Sequence, residues 1–392
     1  MDVIIIGAGI GGLTLALMLE KAGIPFRVYE SAQEIRPIGV GISILPHASR
    51  ELTELGLLEA LAEVAVTARE SCFFNRFGQL VYKEPVGTFA GYDYPQFQIH
   101  RGDLQQILYR ALVDRAGLDC VVASWKCVAV EQGDGEATAR FVDSRTGEDR
   151  PARQGEAIVG CDSIHSIVRR KLVPDDGPPI YSGVNMWRGT TWWKPYLTGA
   201  SYVRAGWLAH GKLVIYPIRN KLDAEGRQLI NWVAEIETSD YHQQDWARPD
   251  PRRRCDPRIS DGRQGSAFPL ELWPHHAARR RGTSDVSARS NGAGQAILDA
   301  RALADSFASG GDVAGILKAY EDKRLEATAS VVRANRTTRP TSSSRRSTSV
   351  PATSPSPGWR MSSPRTSWRR CRTATRRVAG YDKATVAARR RA

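Results

Sequence analysis

The residues Gly7-Ala8-Gly9-Ile10-Gly11-Gly12 constrain this chain more than any other feature. They follow an apolar, β-branched run over residues 2–6, whose composition predicts a buried parallel strand. They open a stretch over residues 11–21 that predicts a helix, closed by Ala22-Gly23-Ile24-Pro25. A second strand is expected over 26–30, ending on Glu30. In that setting the Gly-x-Gly-x-x-Gly spacing predicts a dinucleotide site. Gly7 permits the tight turn, Gly9 lets the backbone approach a pyrophosphate, and Gly12 lets helix and strand pack closely. The helix N-terminus offers unpaired N–H groups and a positive dipole end to phosphates. Glu30 stands where an acid accepts from ribose hydroxyls and disfavours a 2′-phosphate.

The rest of the chain extends this start into a mixed α/β protein. Helices are expected over 48–66, 102–116 and 163–172, and again over 290–307 and 313–330. A hairpin over 120–143 turns at Gly133-Asp134-Gly135, and 158–160 is a short strand. Residues 180–236 alternate apolar and aromatic positions, which predicts a sheet-rich second domain. A chain of 392 residues accommodates two to three such domains. The apolar run from Val3 to Leu19 is broken by glycines and falls short of the roughly 20 residues of a membrane span. With no basic segment before it, no signal peptide is expected, and a cytoplasmic location follows. The six cysteines form no Cys-x-x-Cys pair, so neither a zinc site nor any other metal site is expected.

A net charge of +13 suggests nucleic-acid binding, but its distribution argues against it. Residues 248–289 carry ten arginines and five acids, and 336–377 carry eleven arginines and no acid. Neither segment has a lysine, and together they leave the rest of the chain at −3. The arginines lack interleaved aromatics and any recognisable binding fold.

Four stretches bring a family into view: ESAQEIRPIGVGISILPHA (30–48), YPQFQIHRGDLQQIL (94–108), IVGCDSIHSIVRRKL (158–172) and SNGAGQAILDARALAD (290–305). With NMWRGTTWW (185–193) and LVIYPI (213–218), they make the chain resemble the group A FAD-dependent aromatic monooxygenases, the salicylate and phenazine-carboxylate hydroxylases among them. The resemblance covers about residues 1–246 and 290–335. It implies an α/β fold with a Rossmann-like FAD domain of the p-hydroxybenzoate hydroxylase type and a β-sheet substrate domain. The boundaries it implies are 1–175 for the FAD domain, with 70–98 contributing to the substrate domain. Residues 176–289 would form the sheet domain, damaged after about 247, 290–335 the C-terminal part of the FAD domain, and 336–392 an aberrant basic tail without order.

The activity implied is hydroxylation of a small aromatic compound using FAD, NAD(P)H and O₂. Other FAD-dependent oxidations stay open, as does a catalytically defective remnant. By resemblance, Arg101 contacts the flavin phosphates or ribose, where a guanidinium binds oxyanions bidentately. Arg36, Gly39 and Gly41 belong to the loop lining the cofactor. Asp162 matches the acid of an Asp-Gly motif associated with FAD and nicotinamide binding, whose glycine is Ser163 here. Asn291, Gly292 and Gly294 match the helix start under the flavin pyrimidine, where backbone N–H groups stabilise negative charge. Trp187, Arg188, Trp193 and Tyr216 fall in the domain that roofs the substrate, and the aromatics among them read equally well as sheet-packing residues. His47, His100 and His165 read as structural, and no catalytic acid or base is assigned.

The two arginine-rich segments stand outside the resemblance. A Gly-Asp-Ala-Ala-His-Pro motif is expected just before SNGAGQ and is missing. Residues 273–288 can be back-translated so that reading one base later gives GPTTLLGDAAHPMSP, which contains it. Residues 340–378 likewise shift into an ordinary amphipathic sequence. Both segments therefore read as frame-shifted, with a natural disordered basic tail as the bland alternative.

Overall fold

The computed structural model describes residues 2–133, 135–176, 183–207, 211–237, 271–273 and 292–337, with the backbone alone for Ile164, Trp207, 271–273 and 331–337. Nearly all of segment 248–289, Asn291 and the tail beyond Thr337 lie outside the described residues.

Val3–Ile6 is fully buried, as a β-branched run between two faces of helix and sheet requires. It pairs in parallel with Ala157–Gly160 on one side and Phe26–Tyr29 on the other. Val121–Val122 extends this sheet beyond Phe26–Tyr29, and Glu271–Trp273 runs antiparallel along the outer edge of Ala157–Gly160. The helix Ile10–Lys21 is apolar along most of its length, because it lies between the sheet and the helices Arg101–Ala116 and Gly292–Ala308. One large core joins these elements, with Leu13, Leu17, Phe97, Leu104, Ile297 and Leu303 all buried. The antiparallel strands Trp125–Gln132, Ala137–Asp143 and Asp149–Gly155 cover the other face, where Tyr29 meets the rings of Phe141 and Trp125.

The second layer is a six-stranded sheet in the order Val184–Trp193, Gln228–Glu237, Gly211–Pro217, Ser201–Trp207, Glu70–Phe74 and Leu80–Pro85. The segment 70–85 thus leaves the first layer to supply two strands here, with Glu70–Phe74 parallel to Ser201–Trp207.

Three expected elements differ in detail. The helix over 48–66 divides into Pro46–Glu54 and Leu58–Val64, because Gly56 takes a φ of 74° that ends the first and redirects the chain. The helix over 163–172 begins as a 3₁₀ turn, Ser163–His165, and becomes α-helical only at Ile167–Leu172. The last helix runs further than its apolar pattern, from Val313 to Thr337. A buried cluster ties it down: Arg324 donates to Asp299 at 2.6 Å and to Gln295 at 2.8 Å.

Candidate cofactor and substrate site

The glycine turn is shaped by its neighbours. Gly7 has a φ of 105°, and a Cβ there would lie 2.5 Å from the Cys161 carbonyl oxygen. A Cβ on Gly12 would lie 2.0 Å from the Gly7 carbonyl oxygen. Gly9 differs, since its Cβ would meet nothing within 4 Å. Two of the three glycines therefore answer to the protein's own packing, and Gly9 faces open space where a ligand would approach.

Glu30 closes the second strand and turns back to this loop. Its Oε2 accepts from the Ala8 N–H at 2.7 Å, and its Oε1 accepts from the Ala32 N–H at 2.7 Å and the Ser31 hydroxyl at 3.1 Å. Two carboxylate oxygens offer about four acceptor positions, so one stays available to a hydroxyl donor. On the opposite side, Gln105 donates to the Ala8 carbonyl at 2.7 Å. Gln105 and Arg101 are four residues apart on one helix and share a face. That spacing marked Gln105 in the sequence, yet the motif reading passed over it.

The loop 36–41 packs onto the start of the same helix. A Cβ on Gly102 would lie 2.3 Å from the Pro37 carbonyl carbon, so only glycine lets the loop come this close. Arg36 is exposed and pairs with Glu34 at 2.5 Å, a surface contact weak enough to yield to an anion. Arg101 has no ion pair among the described residues. Partial burial, and then the like charge of Arg188, lower its pKa. With no carboxylate on it among the described residues, the Arg101 guanidinium is suited to a bound anion.

Gly41 joins the two layers. Its N–H donates to Asn231 Oδ1 at 2.7 Å, and its carbonyl accepts from Tyr216 Oη at 2.8 Å and Arg188 Nη2 at 3.2 Å. A Cβ on Gly41 would lie 2.6 Å from Ile218. His100 donates from Nε2 to the Gly39 carbonyl at 2.8 Å. Arg219 grips Asp103 bidentately, at 2.8 and 3.0 Å. Burial alone would raise the Asp103 pKa, but the bidentate Arg219 bonds and the nearby His100 ring, 3.6 Å away, outweigh it and hold the carboxyl at about 2. Asn231 and His100 thus fix the loop 36–41, and Arg219 fixes the helix Arg101–Ala116, against the sheet. Asn231 lies 190 positions from its partner, a distance over which no local pattern could reveal it.

Ser166 N-caps the short helix, its hydroxyl accepting from the Arg169 N–H at 2.9 Å, and Asp162 adds a second tie, its Oδ2 accepting from the Ile167 N–H at 2.7 Å. Its Oδ1 is buried with no hydrogen-bond partner among the described residues. Desolvation raises its pKa above the ordinary carboxylate value. A buried acceptor in that condition calls for a donor from a ligand. The next residue, Ser163, has a φ of 77°. A non-glycine residue is strained there, which explains why the resemblance expects glycine at this place. Ser163→Gly is expected to stabilise the protein by about 1 kcal/mol, read as a shift in urea midpoint at unchanged slope. An unchanged midpoint would show that the strain is relieved elsewhere.

Gly292 opens the helix Gly292–Ala308, and Gly294 is buried within its first turn. Ala296 of this helix would come within 3.6 Å of a Cβ on Gly11, which sets its start beside the glycine turn.

Strand alternation divides the four sheet residues proposed for substrate. Arg188 and Tyr216 line one pocket together with Met186, Tyr202, Val214 and Glu235. Trp187 and Trp193 alternate to the other face of the sheet, where Trp193 is 65% exposed. Tyr202 and Tyr216 stack with centroids 4.8 Å apart and give the pocket a flat aromatic wall. Glu235 and Tyr202 went unremarked in the sequence, because nothing in their own strands tells which face meets the pocket. Among the described residues no cluster of three or more His, Cys, Asp or Glu is arranged to hold a metal. Among the same residues, no helix is long and apolar enough to cross a membrane.

These features accord with known proteins. A family model described as an FAD binding domain matches residues 1–179. The chain is 33% identical over 374 residues to a phenazine 1,6-dicarboxylic acid hydroxylase of Lysobacter antibioticus, covering 86% of this chain and 89% of that protein. It is 30% identical over 360 residues to a 3-amino-4-hydroxybenzoate 2-monooxygenase of Streptomyces platensis, covering 85% and 86%. The structure of Klebsiella pneumoniae HpxO complexed with FAD and uric acid matches with a TM-score of 0.67 at 20% identity, over 98% of this chain and 96% of that one. The 2,6-dihydroxypyridine-3-hydroxylase of Arthrobacter nicotinovorans matches at 0.62, also at 20% identity, over 85% and 90%. At such identities the two structures speak for the fold alone.

Proposed function

The chain belongs to the FAD-dependent aromatic monooxygenases, and on that premise we propose that its substrate is a small aromatic carboxylic acid held by Arg188 and Tyr216. The family reaction uses NAD(P)H and O₂ to hydroxylate an aromatic compound. When bound, FAD supplies the oxygen chemistry, which no side chain can perform. The residues present suit that group: an open approach at Gly9 and, among the described residues, an Arg101 without an ion pair and an Asp162 oxygen without a donor.

In this reading the glycine turn, Glu30, Arg36 and Arg101 hold the dinucleotide end. Gly41, Asp162, Gly292 and Gly294 lie toward the ring. Arg188 draws the substrate carboxylate, and the Tyr202–Tyr216 wall stacks on its ring. Met186, Val214 and Val233 keep water from the reacting edge. Burial, with Tyr202 adding to it, pushes the Tyr216 phenol pKa up against the pull of Arg188, so the hydroxyl stays protonated as a donor.

The observation that carries this reading is the Gly41 carbonyl, which accepts from both Arg188 and Tyr216. Through it the sheet pocket adjoins the loop 36–41, which supports a substrate held beside the cofactor. The names of two relatives, a phenazine dicarboxylic acid hydroxylase and an aminohydroxybenzoate monooxygenase, each specify an aromatic acid, which supports the substrate class. Arg188→Met is expected to weaken benzoate binding by roughly 10- to 100-fold, the range of a lost charge-assisted hydrogen bond. Isothermal titration of the purified chain reads this directly. Equal affinity in the variant would remove Arg188 from the substrate site.

A further inference from the structure

The last helix carries a buried charge that the cofactor and substrate readings leave without a role. Arg324, on Val313–Thr337, is only 5% exposed. Its Nε donates to Asp299 Oδ1 at 2.6 Å, and its Nη2 donates to Gln295 Oε1 at 2.8 Å. Gln295 and Asp299 are both buried and stand four residues apart on Gly292–Ala308, so one guanidinium spans the first two turns of that helix. Those turns lie beside the glycine turn, since Ala296 would come within 3.6 Å of a Cβ on Gly11. Burial first, then Asp162 and Asp299, push the Cys161 thiol up, and Cys161 in turn packs at Gly7 and Gly12. The helix is buried through small side chains, Ala296, Ala300 and Ala304 among them. Apolar packing is non-directional and leaves the register along the helix axis open. A planar fork with fixed donor directions closes it. A buried ion pair is rarely kept for stability, and fixing register is its best-attested use.

We infer that Arg324 is a positioning residue for the cofactor, holding Gln295 and Asp299 so that the start of Gly292–Ala308 meets the flavin ring. The inference rests on the reading that Gly292 and Gly294 lie toward that ring. Arg324 acts through the helix it holds and is not itself a cofactor contact. Arginine only donates, so the Gln295 amide oxygen must face it and Nε2 points the other way. Nε2 is buried with no hydrogen-bond partner among the described residues, a donor left for a polar ligand. Backbone N–H groups bond an oxygen only within about 2.7–3.2 Å. A slip of one residue along the axis moves them by about 1.5 Å, enough to lose that bond.

The test titrates the full chain with FAD and with ADP, which carries the dinucleotide end and no ring. The wild type should bind both. The double variant Arg324→Met/Asp299→Asn removes the fork without stranding a charge. It should bind FAD roughly 10- to 100-fold more weakly, the range of one lost charge-assisted hydrogen bond. Its ADP affinity should stay within about twofold of wild type, with the urea midpoint unchanged. Gln295→Met cuts the other arm and leaves the ion pair in place, and it should show the same split between FAD and ADP. That variant decides the matter should the double variant fail to fold. Wild-type FAD affinity in the variants overturns the role of Arg324 and leaves the cofactor reading standing. FAD and ADP affinities that fall together with the urea midpoint overturn it equally, because a general loss of structure explains them. If wild type binds ADP but not FAD, the ring-side reading of Gly292 and Gly294 falls and this inference falls with it.

Discussion

A gene encoding GPTTLLGDAAHPMSP in place of residues 273–288 is expected to bind FAD at least about a hundredfold more tightly than the chain as written. We propose that both arginine-rich segments are products of a shifted reading frame. The restored segment supplies the Gly-Asp motif that the family resemblance requires just before residue 290. A carboxylate bonded to ligand hydroxyls contributes about 1.5–3 kcal/mol, and backbone donors from the same turn add to it. The fold has a place for such a segment. Glu271–Trp273 already pairs with the outer edge of Ala157–Gly160, next to the strand that leads into the glycine turn. The Thr-Thr-Leu-Leu run that would follow has the composition of a buried strand. Restoration also removes the arginines at 279–281 from the chain. Flavin fluorescence titration of both proteins decides the matter. Equal affinities would mean that the segment as written serves the cofactor, and the frame-shift reading would fail.

The second large effect separates two glycines that the motif treats alike. Gly12→Ala is expected to cost about 3 kcal/mol of stability or more, because its methyl must displace the Gly7 carbonyl from 2.0 Å. Flavin affinity should fall with it. Gly9→Ala should leave the unfolding midpoint within about 0.5 kcal/mol of wild type, since its methyl meets no protein atom within 4 Å. Its FAD affinity should nevertheless fall by roughly a hundredfold, because the added methyl stands where the pyrophosphate approaches. Urea unfolding and FAD titration on the same two variants give four numbers. A Gly9→Ala protein that binds FAD normally would move the phosphates away from this turn.

The sequence by itself determined the cofactor half of this protein. Local rules suffice there: a β-branched strand, a glycine turn, a helix start and an acid on the next strand lie within thirty residues. Even the departure at Ser163 was legible as a backbone question, and its φ of 77° is the structural form of that question. The basic charge likewise belonged to two segments rather than to a surface, which composition alone disclosed.

Tertiary structure decided the pocket in the second sheet. Trp187, Arg188 and Trp193 looked alike along one strand, and only the sheet register put Arg188 on the pocket and the tryptophans on the opposite face. The contacts that bind the two layers run between Gly41 and residues 147 to 190 positions away. Glu235 and Lys212 became a pair because two antiparallel strands brought them opposite each other. Period-two alternation names two faces of a strand but cannot say which one meets the ligand. That choice is made by the packing of the sheet against the cofactor domain, through contacts far apart in the chain.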